Sequence, residues 1–185
     1  MKKFIYAIIF LILLIATLIA TFKISKNTPK EAPVLKEGQS DIAFFRVRIT
    51  LPEFSLNDIY SNDKTLSKKD LEGKYSLINF FASWCSTCIA EHEVLLQLKQ
   101  EQVIDMYGIA WRDGEESARQ YLDENGNPFL KVATDTSGMF TKLANIQAIP
   151  ETWIIDKKGN VVMRFRGNLQ EFSINEIKEF LKNNN

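Results

Sequence analysis

YSLINFFASWCSTCIAEH, residues 75–92, runs from a nearly continuous apolar stretch into a segment that holds both cysteines of the chain and its only histidine. Tyr75 to Ser83 reads as a strand covered on both faces. From Cys88 onward, Ile89, Val94, Leu95 and Leu98 recur at mostly helical spacing. Cys85 and Cys88 therefore stand where a buried strand ends and a helix begins, the place where α/β folds put their chemistry. Three uses of the pair compete: a structural staple, a metal site shared with His92, or a dithiol/disulfide couple.

Working outward, FSLNDI (54–59) and KTLS (64–67) read as short strand pieces, and Ser67 is placed to cap a short helix before Gly73. VIDMYGIAW (103–111) is the next strand and EESARQYLDEN (115–125) the next helix, stopped by Gly126 and Pro128. FLKVATD (129–135) and TKLANI (141–146) give a strand and a short helix. TWIID (152–156), the turn KKGN and VVMRFRG (161–167) have a hairpin pattern. Ser173 and Glu176 have capping-box spacing at the head of a last helix, SINEIKEFLKN (173–183). Strands alternating with helices predict an α/β fold with a parallel core, and the terminal hairpin makes the central sheet mixed.

The chain has 185 residues, 45% apolar and 25% charged, which suits a single globular domain. Net charge is zero, and with no basic cluster the composition argues against nucleic acid as a partner. The N-terminus is different. FIYAIIFLILLIATLIATF, residues 4–22, is long enough to span roughly 28 Å as a helix, close to a bilayer core of about 30 Å. Lys2 and Lys3 precede it. The run exceeds a usual signal-peptide core and lacks a sharp cleavage site, so residues 1–22 are expected to form a signal anchor. Residues 23–43, polar with two prolines and a glycine, read as a tether, and 44–185 as the domain. The short N-terminal flank favours a cytoplasmic N-terminus, with the domain in the periplasm, an oxidising compartment. There a single CxxC makes a poor staple, because so short a loop carries little chain entropy.

At a helix N-terminus the free N–H groups and the dipole stabilise a thiolate. Cys85, at the first turn, is expected to titrate below the free value of about 8.5 and to be the exposed attacking thiol. Cys88, one turn deeper, resolves the mixed disulfide.

WCSTC after SLINFFAS, with GNPF, AIPETWIID and KKGNVV in order downstream, resembles the thioredoxin superfamily. Within it the chain is similar to the membrane-anchored thiol:disulfide oxidoreductases of cytochrome c maturation, the DsbE/CcmG type. The resemblance implies a thioredoxin-like fold with helices flanking the mixed sheet. It makes Cys85 the nucleophile, Cys88 the resolving thiol and Pro150 a cis-proline beside the disulfide. It places Glu91 and Glu151 as acidic residues near the active site, with Trp84 shielding the disulfide and offering an apolar docking surface. No cofactor is implied beyond the Cys85–Cys88 disulfide, and no metal. The implied partners are a membrane electron donor and apocytochrome c, or a maturation protein with thiols, and the implied localisation is the bacterial inner membrane.

Two positions bear on these roles. Ser86 follows the nucleophile where the family commonly has proline. Asn79 occupies the buried-strand position where cytosolic thioredoxin has a proton-accepting aspartate, which leaves proton transfer to Glu91, Glu151 or water. Direction of electron flow is read from the dipeptide between the cysteines. Ser-Thr lacks the histidine typical of oxidants, and the tether is too short for an isomerase's dimerisation domain. A reductant of CxxCH disulfides is therefore expected. The alternatives are a general periplasmic disulfide reductase, or a metallochaperone binding copper through Cys85, Cys88 and His92, since Cys88 and His92 are spaced i, i+4.

Overall fold

The computed structural model describes residues 43–184. Residues 1–42, which contain the expected anchor and nearly all of the expected tether, lie outside the described residues.

The central strand β4 (Ser76–Phe81) is buried at every residue, as its apolar run requires. On one side it pairs in parallel with β5 (Asp105–Trp111), which pairs in parallel with β6 (Lys131–Asp135). On the other side lie β7 (Glu151–Ile155), β8 (Asn160–Arg166) and β1 (Ala43–Thr50), each antiparallel to its neighbour. The sheet order is β1-β8-β7-β4-β5-β6, the mixed sheet expected from the sequence. A separate two-stranded sheet joins β2 (Ser55–Asn57) to β3 (Thr65–Ser67).

Alternation along the strands sends side chains to two cores. One face carries Leu77, Phe81, Ile154 and Phe165 and is covered by α1 (Ser86–Gln100), α2 (Glu115–Asn125) and α4 (Glu171–Asn184) through Leu95, Leu98, Leu122, Ile174 and Ile177. The other carries Ile78, Phe80 and Trp153 and is covered by Leu66, by Leu71 of a short 3-10 turn (Lys68–Leu71), and by Phe140 of α3 (Met139–Leu143). Each fully buried aliphatic side chain contributes about 1.5–3 kcal/mol of transfer free energy. A charge on either face of β4 would forfeit more than that.

Most element ends shift slightly from the sequence expectation, and two differences have a clear physical cause. The domain's first strand begins at Ala43 and runs to Thr50, an edge strand for which no element was expected. Its Arg46 and Arg48 stand between Phe45, Val47 and Ile49, so its pairing with β8 rather than a strong apolar signal holds it in the sheet. The last helix begins at Glu171, two residues before the expected cap. Ser173 lies inside its first turn, where its hydroxyl accepts the Gln170 N–H at 3.2 Å and the Gln170 carbonyl accepts the Ser173 N–H at 2.8 Å. Gln170 is thus the capping position, and Ser173 takes the back-reaching role that Glu176 was expected to fill.

Candidate active site

β4 delivers the chain to the helix mouth. Ala82, Ser83 and Trp84 turn it, and Cys85, with φ −91° and ψ 108°, is the extended N-cap of α1. Its sulfur accepts the N–H of Cys88 at 3.2 Å, so a side-chain sulfur does what an oxygen usually does at this position. Cys85 and Cys88 form a disulfide with Cα atoms 5.2 Å apart. Thr87 Oγ1 stands 3.3 Å from Cys85 Sγ.

The two sulfurs differ less in exposure than the sequence suggests. Cys85 is 6% and Cys88 3% exposed, so both are buried in the disulfide form. The asymmetry is one of access. Cys85, together with Trp84, Ser86, Thr87, Trp111, Ala148 and Ile149, lines an open groove of about 380 Å³, and Cys88 does not. A partner's sulfur meets Cys85 first.

Trp84 is 60% exposed, and its indole N–H donates to the Arg112 carbonyl at 3.4 Å. Its ring lies 6.5 Å from that of Trp111, and the Arg112 guanidinium covers the Trp111 ring at 5.2 Å. The Ile149–Pro150 bond is cis, immediately before β7. Asp113, nearly fully buried, fixes the turn before the cysteines: it accepts the Ser83 N–H at 2.6 Å and the Ser83 hydroxyl at 3.1 Å. Nothing in the local sequence pattern marks Trp111, Arg112 and Asp113 as site residues. They occupy the end of the parallel strand next to β4, which is the switch-point position that the location of the cysteines already pointed to.

Behind the disulfide, on the face covered by α1, Glu91 is completely buried one turn after Cys88. Its Oε1 accepts the side-chain N–H of Asn79 and its Oε2 the backbone N–H of Leu169, both at 2.7 Å. Burial raises its pKa from 4.5 to about 8 against these two hydrogen bonds.

Glu151 corrects the sequence expectation. It was expected beside the disulfide, yet its neighbour Thr152 faces Asn79 while Glu151 itself points to the opposite face of the sheet, with Trp153. There its Oε1 accepts the Trp153 indole N–H and the Arg164 Nε–H, each at 2.7 Å. Arg164 Nη2 lies 2.5 Å away and its guanidinium covers the Trp153 ring. This is a buried ion pair in the second core, with the whole sheet between it and Cys88.

His92 is likewise turned from the cysteines. Its Nε2 donates toward the carbonyls of Gly126 (2.9 Å) and Asn125 (3.2 Å) at the end of α2, and its ring meets Tyr121 edge-on at 5.2 Å. That nitrogen is engaged at the C-terminal end of a helix. Among the described residues, no three His, Cys, Asp or Glu side chains cluster to hold a metal ion.

The family model described as Redoxin matches residues 47–181. The chain belongs to the redoxin family. Among curated redoxin relatives, the thiol:disulfide interchange protein DsbE of Vibrio cholerae is 33% identical over 165 residues, covering 89% of this chain and 84% of that protein. DsbE of Pseudomonas fluorescens biotype C is 36% identical over 120 residues, covering 65% of this chain and 66% of that protein. The crystal structure of a secreted thiol-disulfide isomerase from Corynebacterium glutamicum superposes with a TM-score of 0.67, covering 82% of this chain and 99% of that one. At 18% identity that likeness is one of fold. This redoxin is a thiol:disulfide oxidoreductase with a thioredoxin-like fold, and its working group is a disulfide rather than a bound cofactor.

Proposed function

We propose that the chain is an anchored periplasmic reductant serving cytochrome c biogenesis, held in the bacterial inner membrane by residues 1–22. It reduces the disulfide of apocytochrome c CxxCH motifs, or of a partner carrying them, and is itself re-reduced by a membrane electron donor. The observation that carries the direction is the surroundings of Cys85 Sγ. Its polar contacts among the described residues are the Cys88 N–H and the Thr87 hydroxyl. Ser86 and Thr87 stand between the cysteines where an oxidant has a histidine, and His92, the chain's one histidine, caps α2 rather than facing this sulfur. A reduced form without a strongly stabilised thiolate gives a low potential. The similarity to DsbE proteins supports the cytochrome c assignment.

In the reduced chain the Cys85 thiolate attacks one sulfur of the partner disulfide. A Cys85–partner disulfide forms and the partner's other sulfur leaves as a thiolate. Cys88 then loses its proton, and its sulfur attacks Cys85 Sγ. The Cys85–Cys88 disulfide closes and the partner departs as a dithiol, having gained two electrons, with the two protons the cysteines release. Glu91, buried one turn from Cys88, is the group placed to take the Cys88 proton, a task that Asn79 cannot perform and Glu151 is too distant to share.

Equilibrating the full chain with glutathione buffers tests the direction. The expected potential lies well below that of a strong oxidant, near the thioredoxin value of about −270 mV, with reduction of an oxidised CxxCH peptide. A value near −120 mV, with net oxidation of the peptide, would reverse it.

A further inference from the structure

Asn79 is uncharged and fully buried, yet three elements meet on it. From β4 its side-chain N–H groups donate to Glu91 Oε1 of α1 at 2.7 Å and to Thr152 Oγ1 of β7 at 3.0 Å, and its own Oδ1 has no partner. The amide is therefore turned so that both of its N–H groups are used and its oxygen is left over. That orientation suits an ionised Glu91. The reverse one would set Oδ1 against Glu91 Oε1, which is tolerable only when the carboxyl carries a proton. Thr152 can fit either case, because a hydroxyl both accepts and donates.

We propose that Asn79, braced by Thr152, is the positioning residue that sets the pH at which Glu91 gives up its proton. Among the described residues Glu91 accepts from no other side chain. Its second oxygen is held by the Leu169 N–H; the charge of Glu91 acts on Tyr121 of α2, while on α1 itself His92 is its chain neighbour and Cys88, one turn before it, is bound in the disulfide. His92 is committed to the carbonyls of Asn125 and Gly126, and the Tyr121 phenol is pushed up to about 12 by burial and then by the charge of Glu91. Among the described residues neither donates a hydrogen bond to Glu91. The balance between burial and hydrogen bonding at Glu91 thus depends on two donors, and Asn79 is the one whose side chain sequence can change. The inference rests on the proposed role of Glu91 as proton acceptor for Cys88.

The test is the carboxylic-acid infrared band of Glu91 in the full-length oxidised chain, identified by its loss in Glu91→Gln and followed against pH. Asn79→Ala should move its titration up by about one unit, the effect of losing one hydrogen bond to a charged group. Thr152→Val, which removes the brace at nearly constant volume, should move it in the same direction by less. Asn79→Asp, which keeps the shape, sets a second carboxylate against the first, so the pair should hold one proton to still higher pH. An unmoved band in Asn79→Asp and Thr152→Val overturns the proposal even if the alanine variant does not fold. The pH profile of mixed-disulfide resolution by Cys88 is the second readout. If the band moves and this profile does not, Asn79 does position Glu91, and it is the role of Glu91 toward Cys88 that fails.

Discussion

Replacing Glu91 with glutamine should change how stability depends on pH more than it changes stability itself. In the folded oxidised chain the Glu91 carboxyl titrates at about 8, against 4.5 for an ordinary glutamate. Between those values the folded state holds a proton that the unfolded state has lost. Folding stability therefore falls as pH rises through this window, by about 1.4 kcal/mol per pH unit and about 5 kcal/mol in all. Below 4.5 this contribution is fully present, and above 8 it is gone. Glutamine removes the titration. It also accepts only one of the two N–H groups now on Glu91, setting its own amide against the other, a cost of about 1–3 kcal/mol at every pH. The wild-type chain should be the more stable below about pH 5 and the variant at pH 8, with the two curves crossing between roughly pH 5 and 7. Urea unfolding of the oxidised chain at half-unit intervals measures this. Parallel curves between pH 5 and 8 would show that Glu91 is not protonated in the folded state, and the reasoning from its burial would fail.

Cys88→Ser should accumulate a covalent adduct with a disulfide peptide, visible by mass spectrometry, and Cys85→Ser should not, because Cys85 alone of the two lines the groove. Thr87→Val removes the hydroxyl 3.3 Å from Cys85 Sγ and should raise the Cys85 thiol pKa by about half a unit to one unit, read from alkylation rate against pH. Glu151→Gln strands the buried Arg164 guanidinium, so it should destabilise the chain by about 3–5 kcal/mol in urea unfolding while leaving the reduction potential of the disulfide unmoved. Trp84→Ala should alter stability by less than about 1 kcal/mol, because the ring is 60% exposed, while weakening peptide reduction through KM.

How much was legible in the sequence depended on whether local pattern or partner carried the signal. The apolar run of β4 and the following helical spacing are local, and they placed the disulfide at the strand-to-helix junction where it stands. The span of α2, Glu115–Asn125, was readable from its stop at Gly126. Strand β1 was not, because its residues are half-exposed and its order comes from pairing with β8, more than a hundred residues downstream. At the site, Glu91 was visible through its place one turn after Cys88, but nothing in the sequence says that Leu169 and Asn79 hold it. For Glu151 the adjacent proline was a misleading guide. Proximity along the chain put it beside the disulfide, and the two-residue period of β7 sends its side chain to the far side of the sheet. His92 was ambiguous because the helix spacing that pairs it with Cys88 says nothing of the α2 carbonyls that claim its ring nitrogen.

The register of β1 has a practical bearing on how the domain is handled. Ala43 pairs with Arg166, Arg166 with Glu151, and Glu151 with Phe80, so the polypeptide enters the sheet at the same edge of the molecule as the mouth of the groove, three strand spacings or about 14 Å across from β4. The other terminus leaves from the opposite pole, where the Asn184 carbonyl accepts the Tyr75 hydroxyl at the foot of β4. A carrier or label fused just before Ala43 therefore sits in the approach path of an incoming protein, whereas one attached after residue 184 hangs behind the domain and leaves that path clear.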